Sequence, residues 1–198
     1  MKILAFVDLH SSVKALDAIV KKVKKEKPSV IVCAGDLTIF EQGLRYILYE
    51  LSKLKIPCLI VHGNHETEDS LGKACKLFPN LIFLHKKTYV AEENIFFGYG
   101  GGGFSIEDKN FEKSAKMFKD KIKGYNKRVM ITHAPPYKTK LDKIMEKHCG
   151  SKPIKKFIEE NKISLAVCGH LHENAGKEDK VKNALVVNPG PLSKIINV

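Results

Sequence analysis

Residues 1–10 read MKILAFVDLH, and in them an unbroken apolar run, residues 3–7, leads straight into Asp8 and His10. The run is too short for a helix stripe, and without alternation it reads as a strand buried on both faces. The same grammar recurs down the chain. Residues 30–33 lead through Ala34 and Gly35 to Asp36, and residues 58–61 lead to Asn64 and His65 in V-H-G-N-H-E. Residues 129–131 lead to His133, and residues 165–168 lead to His170 and His172. Further apolar runs at 82–84, 95–97 and 185–187 read as additional buried strands. Helical spacing appears between them. Val13, Leu16, Val20 and Val23 follow the Ser11-Ser12 cap and stop before Pro28, while Leu44, Ile47, Leu48 and Leu51 form a second stripe. Phe111, Ala115, Phe118 and Ile122 form a third. Ser151 and Pro153 open a fourth helix, with Ile154, Phe157 and Ile158 on one side. Strands alternating with helices define an α/β fold whose sheet is largely buried, and 198 residues suit one domain over 1–198.

Composition excludes several classes. Hydrophobic residues at 43% and charged residues at 28% rule out a disordered chain. The longest stretch without a charge, residues 94–106, contains five glycines and cannot span a membrane. The apolar run before Asp8 is too short for a signal-peptide core, and five cysteines with no C-x-x-C spacing fit neither a disulfide framework nor a zinc ribbon. A cytoplasmic protein is expected. The net charge of +12 first suggests a nucleic-acid partner. All but two of the basic residues are lysines, however, spread over the surface helices, and only Arg45 and Arg128 offer the fork that reads phosphates and base edges. A lysine-coated solvated surface is the favoured reading, with a small-molecule partner.

The strand ends carry the chemistry. In open α/β sheets ligands bind outside the carboxyl ends of the strands, and here five strands each end in residues able to hold a metal. Residues i and i+2 of extended chain point the same way, so Asp8 with His10, and His170 with His172, are expected to face one point. Gly35, Gly63 and Gly169 each precede a candidate ligand and permit a sharp turn or close approach. Imidazole, carboxylate and amide oxygen together suit manganese, iron, zinc or nickel better than calcium. Cys33 and Cys168 close apolar strands and read as packing residues. His85, followed by two lysines, reads as solvated, and His62 as a structural hydrogen-bonder. His148 precedes the helix start at Gly150-Ser151, where free N–H groups could meet phosphate, making it a candidate substrate-binding residue. The glycines at 100–103 lack the P-loop pattern and read as a tight loop at the edge of the site.

The ordered set D-x-H, G-D, G-N-H, H and G-H-x-H resembles the calcineurin-like metallophosphoesterases, from DLH at 8–10 through NPGPL at 188–192. T-H-A-P-P-Y at 132–137, H-C-G-S at 148–151 and C-G-H-L-H-E at 168–173 are similar to the small single-domain members found in archaea and bacteria. The resemblance implies a four-layer α/β/β/α sandwich of two mixed sheets flanked by helices, with a dinuclear metal centre at the strand carboxyl ends. It implies that Asp8, His10 and His172 hold one ion, that Asn64, His133 and His170 hold the other, and that Asp36 bridges them. His65 would stay off the metals and face the substrate. No position departs from the pattern.

The chemistry implied is hydrolysis of a phosphate ester. Two divalent transition-metal ions, manganese foremost, with a bridging hydroxide and the carboxylates of Asp8 and Asp36 leave a net charge of about +1, which attracts phosphate. The bridging hydroxide would attack phosphorus in line with the departing oxygen, and His65 would protonate the leaving group. A phosphodiester is favoured over a monoester because no arginine lies in the motif loops to hold the extra charge of a dianion. The alternatives are a phosphomonoesterase or protein phosphatase on the same site, a nuclease, and a metal-binding assembly scaffold without catalysis. The scaffold branch has an eroded site and lacks the catalytic histidine, whereas His65 is present here.

Overall fold

Each of the eight apolar runs forms a strand. In the computed structural model, which describes residues 1–198, the first sheet is built on β1 (Lys2–Phe6), β2 (Val30–Cys33), β3 (Cys58–Ile60) and β4 (Leu81–Phe83), paired in parallel in that order. The last strand, β13 (Lys194–Asn197), returns antiparallel beside β1. The second sheet has four parallel central strands, β6 (Asn94–Tyr99), β7 (Lys127–Thr132), β10 (Leu165–Val167) and β12 (Ala184–Val187). Its edges are antiparallel, β5 (Lys87–Ala91) beside β6 and β11 (Glu178–Val181) beside β12. A short hairpin of β8 (Lys143–Ile144) and β9 (Lys147–His148) projects after β7.

Side-chain alternation turns these sheets into layers. In β1, Leu4 and Phe6 face the helices α1 (Val13–Glu26), α2 (Leu44–Ser52) and α3 (Glu68–Cys75), where they meet Leu16, Ile19, Leu48 and Leu71. Ile3, Ala5 and Val7 face the other way and pack with Phe96, Val129, Ile131 and Val167 of the second sheet. The far side of that sheet presents Phe97, Met130 and Ala166 to α4 (Lys109–Lys121) and α5 (Lys152–Glu160). Three apolar layers between four layers of structure give the α/β/β/α sandwich, with apolar residues on both faces of each sheet as the unbroken runs require.

The stripe on α1 is rotated from the one expected. Ala15, Leu16, Ile19 and Val23 are buried, whereas Val13 is exposed. Val13 is the first residue of the helix, and Ile19 completes the i, i+3, i+7 row with Leu16 and Val23. Ser12 caps this helix by accepting from the Ala15 N–H (3.2 Å), and Ser151 caps α5 through the Ile154 N–H (3.4 Å). No helix is long and apolar enough to cross a membrane.

Phe97 is fully buried, its ring 5.0 Å from that of Phe118 and 5.8 Å from that of Phe157. Phe97→Ala opens a cavity there. A loss of about 3–5 kcal/mol is expected, measured as a lowered urea midpoint with an unchanged slope.

Candidate metal centre

The ends of five parallel strands, three from one sheet and two from the other, meet at one edge of the sandwich. Asp36 sits among them, nearly fully buried. Its Oδ1 accepts the backbone N–H groups of Asn64 (2.8 Å) and His65 (3.0 Å), which leaves Oδ2 facing His133 Nε2 at 3.4 Å and His10 Nε2 at 3.9 Å. One carboxylate thus looks toward two groups of ligand atoms. On one side His10 Nε2 and His172 Nε2 approach to 2.8 Å, with Asp8 completing a cluster. On the other, Asn64 Oδ1 lies 3.0 Å from His133 Nε2 and 2.9 Å from His170 Nδ1. Nitrogen and oxygen lone pairs so closely aimed at one another repel unless a proton or a cation lies between them. That is the arrangement of a metal site.

His133 shows the polarity a ligand needs. Its Nδ1–H donates to the Ala34 carbonyl at 2.9 Å, which turns Nε2 toward Asn64 and Asp36; against burial, the hydrogen bond and charge of Asp36 raise this ring, so an ion there would take the place of the Nε2 proton. Burial alone would raise the Asp36 carboxyl. The hydrogen bond and charge of His133, with the His65 N–H, outweigh it and hold Asp36 at about 2. Burial raises the Asp8 carboxyl to about 6, against the neighbouring His133. It lowers His10, and it lowers His170 to about 4, so both rings are neutral near pH 7.

The side chains converge by a route other than strand pleating. β1 ends at Phe6, and Asp8 and His10 carry left-handed backbone, φ 55° and 47°. Asp36 (φ 51°) and His170 (φ 71°) do the same. Such conformations are uncommon for residues with a Cβ and concentrate where function fixes the chain. The expectation that His170 and His172 face one point does not hold. His170 turns to Asn64, its N–H donating to Asp8 Oδ2 (3.1 Å), while His172 opens a 3-10 turn (His172–Asn174) and faces His10. Contact requires all three glycines that precede ligands, and a Cβ on Gly169 would stand 2.1 Å from Val7 Cγ2. A Cβ on Gly63 would stand 1.9 Å from Asp36 Oδ1, and one on Gly35, at φ 102°, would stand 2.8 Å from His133 Nδ1.

Other candidates lie in different surroundings. His65 is half-buried beside the cluster, its ring 5.0 Å from that of His10, and its Nδ1 has no hydrogen-bond partner. His148 is not brought against these residues. Its Nδ1–H donates to the fully buried Asp142 at 2.7 Å. The free N–H groups expected beside it are taken inside the protein, Gly150 by Asp142, Ser151 by Pro135 and Lys152 by Ile106. His85 is buried rather than solvated, accepting the Gly100 N–H at Nδ1 (2.8 Å) and packing its ring 4.7 Å from that of His62. The glycine loop does reach the site edge, where Phe104 packs on His170 with ring centroids 4.5 Å apart. The sequence reading passed over Glu66, a buried carboxylate that accepts from Thr38 N (2.8 Å), Thr38 Oγ1 (2.7 Å) and Gly63 N (3.3 Å). Its place directly after N-H in a strand-end loop was the available signal.

Comparison with known proteins agrees with this geometry. The family model described as calcineurin-like phosphoesterase matches residues 1–174. The chain is 34% identical over 208 residues to the uncharacterised protein MJ1162 of Methanocaldococcus jannaschii, covering 99% of this chain and 91% of that one. It superposes on the crystal structure of TT1561 from Thermus thermophilus with a TM-score of 0.79 at 19% identity, covering 96% and 89% of the two chains. A dimetal phosphatase from Danio rerio shares the fold with a TM-score of 0.69 at 10% identity, covering 94% and 86%. Members of this family bind a dinuclear divalent metal centre and hydrolyse phosphate esters. With two facing sheets, clustered aspartates and histidines at their shared edge, and a match over most of its length, the chain belongs to the calcineurin-like phosphoesterase family.

Proposed function

We propose that this single-domain protein hydrolyses small phosphodiesters with two divalent transition-metal ions, manganese foremost. The observation that carries the reading is the paired convergence of lone pairs on either side of Asp36 Oδ2. Asp8, His10 and His172 would hold one ion and Asn64, His133 and His170 the other, with Asp36 shared. When bound, the pair would supply a positive clamp on phosphoryl oxygens and an activated water at neutral pH. The chain's own residues do the rest. Asp36 and Asp8 offset the ionic charge, Asn64 and His172 leave the site open to solvent, and His65 gives a proton to the departing alkoxide. His148, held by Asp142 and away from the cluster, is a substrate-binding candidate through its ring alone, since the N–H groups beside it are already taken.

The diester preference is supported by where the arginines are. Arg128 commits its guanidinium to the carbonyls of Tyr125 (2.8 Å) and Asn161 (2.7 Å), near the start of β7, whereas His133 follows the end of that strand. Arg45 is exposed on α2. Neither arginine makes a hydrogen bond or ion pair with the cluster, where a guanidinium would grip the second charge of a monoester dianion.

The manganese-loaded protein is expected to bind close to two ions per chain and to give a higher kcat/KM for bis(p-nitrophenyl) phosphate than for p-nitrophenyl phosphate. Asp36→Ala should lose ion binding and turnover together, and retention of full activity would overturn the reading. His65→Ala should slow an alkyl-leaving diester by about 10²–10⁴, but cost less on the p-nitrophenyl ester, whose leaving group departs without a proton.

Manganese affinity should also depend on pH in a defined direction. Asp8, raised to about 6, is protonated below that pH, and an ion must displace its proton. Affinity measured by calorimetry is therefore expected to fall as pH drops through about 6, by tenfold per pH unit or more, because the His133 ring, which Asp36 raises against burial, must also give up a proton to the ion.

A further inference from the structure

Two phenyl rings stand exposed at the site, Phe40 at 72% and Phe104 at 63% of their surface. Each touches an imidazole of the cluster, Phe40 on His65 (4.7 Å between centroids) and Phe104 on His170 (4.5 Å). They lie at opposite ends of one row of contacts. From Phe40 it runs through His65 to His10 and on to Asp36; from Asp36 it runs through His133 to His170 and Phe104.

Neither ring is placed there by burial. Phe40 has φ 47° and Glu41 φ 65°, left-handed backbone that is unfavourable for a bulky side chain. The loop is fixed in that shape by Thr38 on the buried Glu66, by Glu41 Oε1 accepting from Thr67 N (2.9 Å) and Oγ1 (3.1 Å), and by Ser11 Oγ on the Gln42 carbonyl (2.8 Å). Glu66 also holds Gly63, so the loop presenting Phe40 is tied to the loop that presents Asn64 and His65. Phe104 is equally supported. It follows three left-handed glycines, Gly101, Gly102 and Gly103, and the loop base is pinned by Gly100 N on His85 Nδ1 (2.8 Å) and Gly101 N on the His62 carbonyl (2.9 Å). Two exposed aromatics beside a reactive centre, Phe40 on strained backbone and Phe104 on a pinned glycine turn, point to a contact made with a ligand.

We propose that Phe40 and Phe104 are stacking platforms that select phosphodiesters with a flat aromatic group, of nucleobase type, on each arm. This rests on the phosphodiesterase reading above. Phosphorus sits over the cluster, one arm runs toward Phe40 past His65, and the other runs toward Phe104 past His170. Rings on both sides suit a diester and leave a monoester with one platform unused. The lysine-rich surface is consistent with an anionic substrate.

Two measurements test this on the full chain. With manganese bound, bis(p-nitrophenyl) phosphate and methyl p-nitrophenyl phosphate share a leaving group and differ only in the other arm. The wild type should favour the aromatic arm in kcat/KM, Phe40→Leu and Phe104→Leu should each cut that preference about tenfold, chiefly through KM, and Phe40→Tyr should keep it. In parallel, adenosine titrated by NMR should shift the ring protons of Phe40 and Phe104 without any phosphate chemistry. Thymidylyl-thymidine and a long single-stranded oligonucleotide separate the two sources of such a group. Equal rates per bond indicate a small substrate, and a salt-sensitive gain with length indicates a strand. Turnover with an unchanged aromatic preference in both leucine variants, and no ring shifts with adenosine, overturns the platforms and leaves the esterase reading intact. Adenosine shifts without turnover of any ester overturn the esterase reading instead.

Discussion

The Asp36 carboxylate is the joint on which this structure turns. It is nearly fully buried at the meeting edge of two sheets, and each of its oxygens has a separate task. Oδ1 takes two backbone N–H groups of the loop after β3 and so fixes Asn64 and His65 relative to the end of β2. Oδ2 faces His133 from the second sheet and His10 from the end of β1. A buried carboxylate is tolerable only with such compensation, and the same donors that compensate it hold it ionised at about 2. Apolar packing sets the two sheets face to face. This polar joint, with the Gly35 and Gly63 approaches that only glycine allows, fixes how their ends meet.

The strain of that joint is spread over backbone. Asp8, His10, Asp36 and His170 all adopt left-handed φ, so β1, β2 and β10 stop short and the chain turns its polar residues inward after them. The apolar layer between the sheets offsets this strain. Val7, Ala34, Val61 and Val167, immediately before the turns, are fully buried and anchor the chain on the strand side. Strain at the ends and dense packing behind them are two halves of one arrangement.

This division explains what was legible in the sequence. Buried strands were readable because burial on both faces leaves unbroken apolar runs, and the polar residues ending those runs stood out against them. The edge strands β5, β11 and β13 were not, since KTYVA, EDKV and KIIN mix polar and apolar residues as one-sided edges do. The helix α3 buries only Leu71 and Cys75, too few for a period to show. Within the site, residue identities were legible and their partners were not. Extended-chain alternation puts His170 with His172, whereas the left-handed turn at His170 sends them to opposite sides of Asp36. Phe40 and Phe104 carried no signal because an exposed aromatic in a loop has no periodicity.

The chain holds a second group of ligand-type residues, His62, His85 and Glu68, and the contrast shows why residue type alone does not make a metal site. His85 Nδ1 accepts the Gly100 N–H, so in the neutral ring the proton is on Nε2. Burial, with His62 next, lowers this ring to about 4 and keeps it neutral near pH 7. Its Nε2–H therefore faces the middle of the group, where a metal needs a lone pair. Glu68, which lies 3.2 Å from that nitrogen, is already engaged by Lys86 Nζ at 3.0 Å. At the strand ends the polarity is reversed: His133 Nδ1–H donates to a carbonyl and turns Nε2 toward Asp36 Oδ2 and Asn64 Oδ1, where an ion can replace its proton. A single backbone partner decides the role of each imidazole. His133 is turned toward cations, and His85 is turned into the anchor of the glycine loop that carries Phe104 to the rim.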